Sequence, residues 1–244
     1  MKEPSFFELA RQALSSTRRG YDLLASKFEY TPYATPTEWI EQAVDYVSRH
    51  YPVCSESPCG ADLACGTGRG ARALRSCCHH VHGYDFSRGM LEKASQLSGA
   101  LSGLKWIQVD LAELQLPQAH YDRMVTFGAW GHILPGFRRS LLRQIPLALK
   151  AGGVFFTLTA DEARIWEKRF WISLFFDLAI RIRNLLWFSE FHMYYRLNST
   201  EHLLKLWEEI SRETVCPAFE LKVHHLEGQS SALKLLILHR KPNG

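Results

Sequence analysis

Asp62-Leu-Ala-Cys-Gly66-Thr-Gly68-Arg-Gly70-Ala71 is the stretch that decides how the rest of the chain is read. The apolar run from Ala61 to Cys65 stops at a glycine cluster, and Arg69 to Cys77 then reads as a helix. Glycines at a strand-to-helix turn let a ligand approach the backbone closely, and φ > 0 costs nothing there. Asp85 ends the next apolar run, nineteen residues after Gly66. A carboxylate at that offset can accept hydrogen bonds from both hydroxyls of a ribose. Alone, the glycines decide little. A turn that serves only packing has the same look, and the GxGxxA spacing also fits a dinucleotide fingerprint.

Outward from the loop, short apolar runs alternate with helical patterns, the mark of βαβ units and a largely parallel sheet. Val81 to Asp85 reads as the second strand, followed by a helix from Ser87 to about Leu97 with Ser87 as its N-cap. Leu104–Val109, Tyr121–Phe127 and Val154–Thr159 read as the third, fourth and fifth strands. A helix around Arg138–Lys150 precedes the fifth, and Ala151-Gly-Gly153 is expected to stop it with a left-handed glycine. Thr200–Arg212 is helical in pattern, and Phe219–Leu226 with Ala232–Arg240 makes a closing hairpin across Glu227–Ser230. The expected organisation is a helical cap over 1–59, a nucleotide-binding core over 60–160, a helical insertion over 161–197, and a helix and hairpin over 198–244 that complete the core. The insertion holds ten of the chain's thirty aromatic residues.

Composition narrows the class further. With 244 residues, 46% hydrophobic and 22% charged, the chain is neither disordered nor collagen-like. A net charge of +4 gives no reason to expect a nucleic-acid partner. The six cysteines show no CxxC spacing, so free thiols in a reducing compartment are expected, and no metal. Glu3 and Glu8 interrupt the start MKEPSFFELARQ, which reads as neither a secretory nor a transit signal. A cytoplasmic α/β protein is the expectation.

Three features bear on the ligand. Asp62 sits four residues before Gly66, where a dinucleotide strand normally continues with Val or Ile. A carboxylate there can fix the glycine loop or reach a cationic ligand through water. Asp110 ends Trp106-Ile-Gln-Val-Asp110, where it can accept from an adenine amino group. The terminal hairpin supplies a strand that can insert antiparallel beside the fifth.

These segments resemble the class I, Rossmann-like S-adenosylmethionine-dependent methyltransferases. DLACGTG resembles the family's first motif, YDFSRGML its ribose-binding motif and Gln108-Val-Asp110-Leu its adenine turn. YDRMVTFG resembles its fourth strand and LKAGGVFFT its turn into the fifth. The resemblance covers roughly residues 20–160 and the terminal hairpin. It implies a three-layer fold with a seven-stranded, mostly parallel sheet, and S-adenosylmethionine as cofactor. It further implies that Gly66, Thr67 and Gly68 approach the methionine portion while Asp62 fixes their loop. Asp85 would hold the ribose, Phe86 and Met90 would sandwich adenine, and Asp110 and Leu111 would read its edge. Phe127 and Gly128 would offer backbone atoms to the amino-acid end. The spacing of Phe86 and Met90 equally suits a buried helical face. Tyr21, in YDLLASKFEY, resembles the covering helix of small-molecule members; an amphipathic helix at the domain edge reads the same way.

Methyl transfer from a sulfonium is an in-line displacement. It needs alignment above all, and a base only when the acceptor carries a proton. Phe127-Gly-Ala-Trp130-Gly-His132-Ile133 follows the fourth strand. His132 is its near-neutral titrating group and the candidate general base, with a half-buried structural role as the rival reading. Trp130 is expected to form a pocket wall. Arg138, Arg139 and Arg143 read as a solvated basic face. No Asn-Pro-Pro-Tyr type of motif is present, which weighs against amino methylation of nucleic acid.

Phe170–Phe188 is apolar apart from Ser173, Asp177, Arg181, Arg183 and Asn184. It reads as a lid over an apolar substrate, a homodimer interface or a membrane-surface helix, and its uncharged stretch is too short to span a bilayer. His192, Tyr194 and Tyr195 are candidate acceptor-pocket residues. The sequence reading is a methyltransferase for a small, partly apolar or aromatic acceptor. Its rivals are a catalytically silent cofactor-binding protein, a nicotinamide oxidoreductase and a nucleic-acid or protein methyltransferase.

Overall fold

Phe155 and Phe156 are neighbours in sequence, fully buried, and packed into different hydrophobic cores. Successive strand side chains point to opposite faces, so the sheet that carries them is covered on both sides. The computed structural model of the chain describes residues 4–5, 8, 11, 15–31, 34–161, 164–186, 199–213, 218–226 and 233–242.

In chain order the elements are α1 (Thr17–Leu24), α2 (Thr37–His50), β1 (Cys59–Leu63), α3 (Arg69–Leu74), β2 (His80–Asp85), α4 (Arg88–Ser98), β3 (Leu104–Gln108), β4 (Tyr121–Thr126), α5 (Pro135–Ala148), β5 (Leu149–Ala160), α6 (Lys168–Leu186), α7 (Thr200–Glu213), β6 (Phe219–His225) and β7 (Leu233–Arg240). The strands form one seven-stranded sheet in the order β3-β2-β1-β4-β5-β7-β6. β1 to β5 pair in parallel, and β7 runs antiparallel to both β5 and β6. This is the expected Rossmann-like sheet with its antiparallel C-terminal pair; residues 227–230, expected to turn between β6 and β7, lie outside the described residues.

One core packs α5 and α7 on the sheet through Leu141, Ile145, Leu203 and Trp207. The other packs α2 and α3 through Val44, Val47, Ala71 and Leu74. β1 lies centrally and is buried along its whole length. Ser87 caps α4 as expected, its hydroxyl accepting from the Met90 N–H at 3.1 Å.

Two expectations need correction. α5 ends at Ala148 and β5 already begins at Leu149, so Ala151-Gly-Gly153 does not stop a helix. Those residues form a bulge, where the pairing jumps from Tyr121↔Leu149 to Arg123↔Val154. Arg138 is not on a solvated face: it is 1% exposed and points into the protein. Arg139 does reach outward, to Glu209 at 3.0 Å. Among the described residues, no helix is long and apolar enough to cross a membrane. The five described cysteines are free.

Candidate active site

β1 has β2 on one side and β4 on the other, so the chain reverses its direction of winding at β1. Open α/β sheets bind ligands at the carboxyl ends of the strands beside such a switch point. A cavity of about 640 Å³ lies there, between the loops after β1, β2 and β4 and the N-terminal segment.

The glycine loop forms its floor. Gly66 has φ +52, and a Cβ there would meet only Phe28, at 4.0 Å. Its backbone is therefore open to close approach from the cavity. Gly68 does a different job. It does not line the cavity, and a Cβ on it would strike the Trp106 ring at 2.5 Å. Its left-handed φ of +82 turns the chain into α3 against that ring. The expected approach of Gly68 to a ligand is corrected accordingly. Ala64 also holds a positive φ, +55, at the cavity wall, a conformation that costs a non-glycine residue of order 1–3 kcal/mol.

Two buried carboxylates hold this loop. Asp62 accepts from the Ala71 N–H at 2.7 Å, which ties β1 to the start of α3. Burial pushes its carboxyl up to about 8, against the Ala71 N–H and with the nearby Asp85 charge adding to the rise. Asp85 accepts from the Gly66 N–H at 2.8 Å and the Ser87 N–H at 2.9 Å. Burial raises it to about 6, and those two N–H groups limit the rise. Asp110 is half exposed, 3.8 Å from Arg18, and accepts from the Ala112 N–H at 3.0 Å.

The N-terminal segment is bound to the loop through Glu29. Its carboxylate accepts from the Thr67 hydroxyl at 3.0 Å and from Arg72 at 3.1 Å, and lies 3.3 Å from Arg69. Arg69 donates onward to the Thr35 and Glu29 carbonyls. Asp22 accepts from the Ser87 hydroxyl at 2.6 Å and the Gly89 N–H at 2.9 Å, anchoring α1 over the start of α4. The sequence reading named none of Asp22, Glu29, Arg69 or Arg72 as site residues.

The third wall is the turn after β4. His132 faces the cavity, and its Nε2 lies 2.8 Å from the Tyr21 hydroxyl. Gly131, Ile133, Leu134 and Phe137 line the same end. Arg138 reaches back to this turn and donates to the Trp130 carbonyl at 2.6 Å and the Ile133 carbonyl at 3.1 Å. Trp130 itself does not form a wall. Its ring is 3% exposed, packs edge-on against Phe155, and donates its N–H to the Thr157 hydroxyl at 3.0 Å.

Tyr21, Asp62, Gly66, Thr67, Asp85, Phe86, Met90, Asp110, Leu111, Phe127, Gly128 and His132 all line this one cavity. Met90 is otherwise buried, at 1% exposure, and the Tyr21 ring meets Phe86 edge-on at 6.0 Å between centroids. His192, Tyr194 and Tyr195 lie outside the described residues. No described residue of α6 lines the cavity. The helix is joined to the cap instead, with Arg183 donating to the Ser15 carbonyl at 2.7 Å. It turns Trp171, Ile172, Phe175, Leu178, Ile182 and Leu185 outward and Asp177 inward. The reading of this helix as a lid over substrate has no support from the described residues.

The fold is a Rossmann-like α/β sheet with its cavity at the switch point, where such sheets bind ligands. Residues 61–153 match the family described as a methyltransferase domain. No curated protein matches the chain. Among solved structures it is similar to the one titled "DhpI-SAH complex", at 15% identity and a TM-score of 0.62, covering 98% of this chain and all of that one. It is also similar to an S-adenosylmethionine-dependent methyltransferase from Mesorhizobium loti, at 19% identity and a TM-score of 0.56, covering 84% of this chain and 98% of that one. A third, titled "DhpI-SAM-HEP complex", shares 15% identity and a TM-score of 0.60 over 96% and 99% of the two chains. At such identities the structures speak for the fold; the family match over 61–153 speaks for the domain. Residues 61–153 thus carry a methyltransferase-type domain on a Rossmann-like fold.

Proposed function

We propose that the chain transfers a methyl group from S-adenosylmethionine to a small, partly apolar acceptor bound against His132. The supporting observation is the polarity of the cavity. Carboxylates Asp62, Asp85 and Asp110 line it together with His132 and the apolar side chains of Ile133, Leu134 and Phe137. Its volume is in the range of about 300–1,000 Å³ usual for small-molecule sites.

The donor set fits the cofactor. The open face of Gly66 accommodates a ligand atom where a Cβ would stand. Asp85 has lone pairs beyond those given to Gly66 and Ser87, and its carboxylate can accept from two ribose hydroxyls. Phe86 and Met90 would flank the adenine, with Asp110 and the Leu111 backbone at its edge. The Asp110–Arg18 pair is solvated and worth about 0–1 kcal/mol, so it exchanges readily for a ligand. Thr67, Phe127 and Gly128, which line the cavity, would hold the amino-acid end. When bound, the cofactor supplies an activated methyl on a sulfonium.

The residues of the chain do the rest. Tyr21 orients the His132 ring through Nε2, and Arg138 holds the turn on which that ring stands. An acceptor hydroxyl lodged against Ile133 and Phe137 would give its proton to His132, while the methyl would pass to its oxygen with cleavage of the S–CH3 bond and release of S-adenosylhomocysteine. Tyr21, Phe28 and Phe86 exclude water from the reacting centre.

The test is calorimetric titration with S-adenosylmethionine, followed by release of S-adenosylhomocysteine across a panel of phenols, alcohols and amines. The reading requires micromolar or tighter cofactor binding and turnover on at least one apolar acceptor. Binding of NADH in preference to S-adenosylmethionine refutes it.

A further inference from the structure

At the opposite end of β1 from the cavity, three side chains of metal-binding type converge. Cys59 is the first residue of β1, His82 lies within β2, and His120 immediately precedes β4. The parallel register pairs Cys59 with His80 and Ala61 with His82. Cys59 and His82 therefore stand two residues apart on the same face of adjacent strands. His120 approaches from the far side of β1, with its Nε2 3.7 Å from Cys59 Sγ. The three ligand atoms lie within 4.8 Å of one another. Five residues of strand, about 16 Å, separate Cys59 from Ala64 at the cavity wall.

We propose that Cys59, His82 and His120 form a binding site for a borderline-soft divalent cation of the zinc class. The donor set argues for that class, because one thiolate and two imidazoles suit zinc and disfavour calcium or magnesium, which take oxygen ligands. The geometry argues for it as well. Tetrahedral zinc with Zn–S about 2.3 Å and Zn–N about 2.0–2.1 Å sets sulfur and nitrogen about 3.6 Å apart. The Cys59–His120 separation is already close to that figure, and the third atom needs about 1 Å of movement from a half-buried histidine.

The surroundings are arranged as they are around metal ligands. The Tyr121 hydroxyl, 3.1 Å from His82 Nδ1, holds that ring, and Tyr84 in turn binds the Tyr121 hydroxyl at 2.6 Å. His82 and His120 stack with their rings 18° apart. The Cys59 backbone N–H is fixed by the Asp122 carboxylate, itself paired with Lys150. Burial and the Asp122 charge keep the Cys59 thiol above its ordinary value, so it is protonated without metal. Forming the Sγ–metal bond releases that proton to solvent. The three protein ligands leave a fourth position for water or for a group from a partner.

The site is independent of the methyl-transfer reading and is tested without activity. The full chain, freed of metal with chelator, is titrated with Co²⁺ and then with Zn²⁺. The expected result is one equivalent of Co²⁺ with a thiolate-to-cobalt charge-transfer band in the near ultraviolet, abolished by one equivalent of Zn²⁺. Cys59→Ser should remove the band, and His120→Gln should weaken binding about tenfold or more. Thermal unfolding without metal serves as the folding control, and His120 is half exposed, so His120→Gln should fold. A titration with no thiolate band, or equal binding by wild type and both variants, overturns the proposal.

Discussion

The Tyr21 hydroxyl meets His132 Nε2 at 2.8 Å, joining the first described helix to the turn after β4 across 111 residues of chain. In the proposed reaction this contact would make the N-terminal helix part of the reaction centre. On an acceptor that carries a proton at neutral pH, His132→Ala should lower turnover on the order of 10²–10⁴, the usual range for a general base. The deficit should shrink at high pH, as the acceptor ionises unaided. Tyr21→Phe should have a smaller effect of the same sign, with cofactor affinity nearly unchanged. Superimposable pH–rate profiles for wild type and His132→Ala would make the histidine structural.

Asp85 carries the ribose contact in this account. Asp85→Ala should weaken S-adenosylmethionine binding by roughly 2–3 kcal/mol, the loss of charge-assisted hydrogen bonds. Ribose hydroxyls donate to the ionised form, and burial holds that carboxyl up to about 6. Affinity should therefore rise as pH increases through about 6 and then level off. Calorimetry across that range, with Asp85→Ala flat by comparison, checks both statements.

Asp62 supplies a stability test with a definite sign. Its carboxyl sits near 8 in the folded protein and near 3.8 when free. The folded state thus binds the extra proton, so this stabilisation is complete below pH 3.8 and is lost as pH rises toward 8. The side-chain amide introduced by Asp62→Asn does not titrate, and its oxygen can still accept from the Ala71 N–H. The melting temperature of Asp62→Asn should gain on wild type steadily between those two values and stay ahead above them. A margin that is constant with pH would remove Asp62 from the account.

Arg138 is buried against the carbonyls of Trp130 and Ile133, on either side of the His132 position. Arg138→Met fills similar space but donates nothing, which leaves two carbonyls short of a partner. A cost of about 2–4 kcal/mol in unfolding free energy is expected. Among the folded molecules, turnover should fall more than cofactor affinity, since the turn carrying His132 loosens while the glycine loop does not. Equal losses in both would mean that Arg138 supports the whole site and not this turn.

What the sequence disclosed follows from the range of the interactions. Ser87 as an N-cap is a contact between residues three apart, so it could be read directly. Asp85 could be read from its offset to Gly66, because a parallel β1–β2 pair places the two together. The tie between Glu29 and Thr67 spans 38 residues, and that between Asp22 and Ser87 spans 65, with no local pattern to announce either. In sequence Arg138 reads as one of three basic surface residues; only the path of the turn after β4 shows that two carbonyls await it. The same turn, a short 3₁₀ segment over Trp130–His132, sends Trp130 into the core and His132 into the cavity. Spacing alone does not distinguish those two outcomes. The glycines at 152 and 153 fit a helix stop in sequence, and the strand register turned them into a bulge.

The methyl group itself reports most directly on the proposed reaction. The chain is incubated with S-adenosylmethionine labelled in its methyl, together with a mixture of small metabolites, protein and nucleic acid. The products are then divided between an organic extract and an acid precipitate. A cavity walled by His132, Ile133, Leu134 and Phe137 predicts label in the organic extract, lost when His132 and Asp85 are both replaced by alanine. Label confined to the acid precipitate, or extractable label that survives the double substitution, would contradict it.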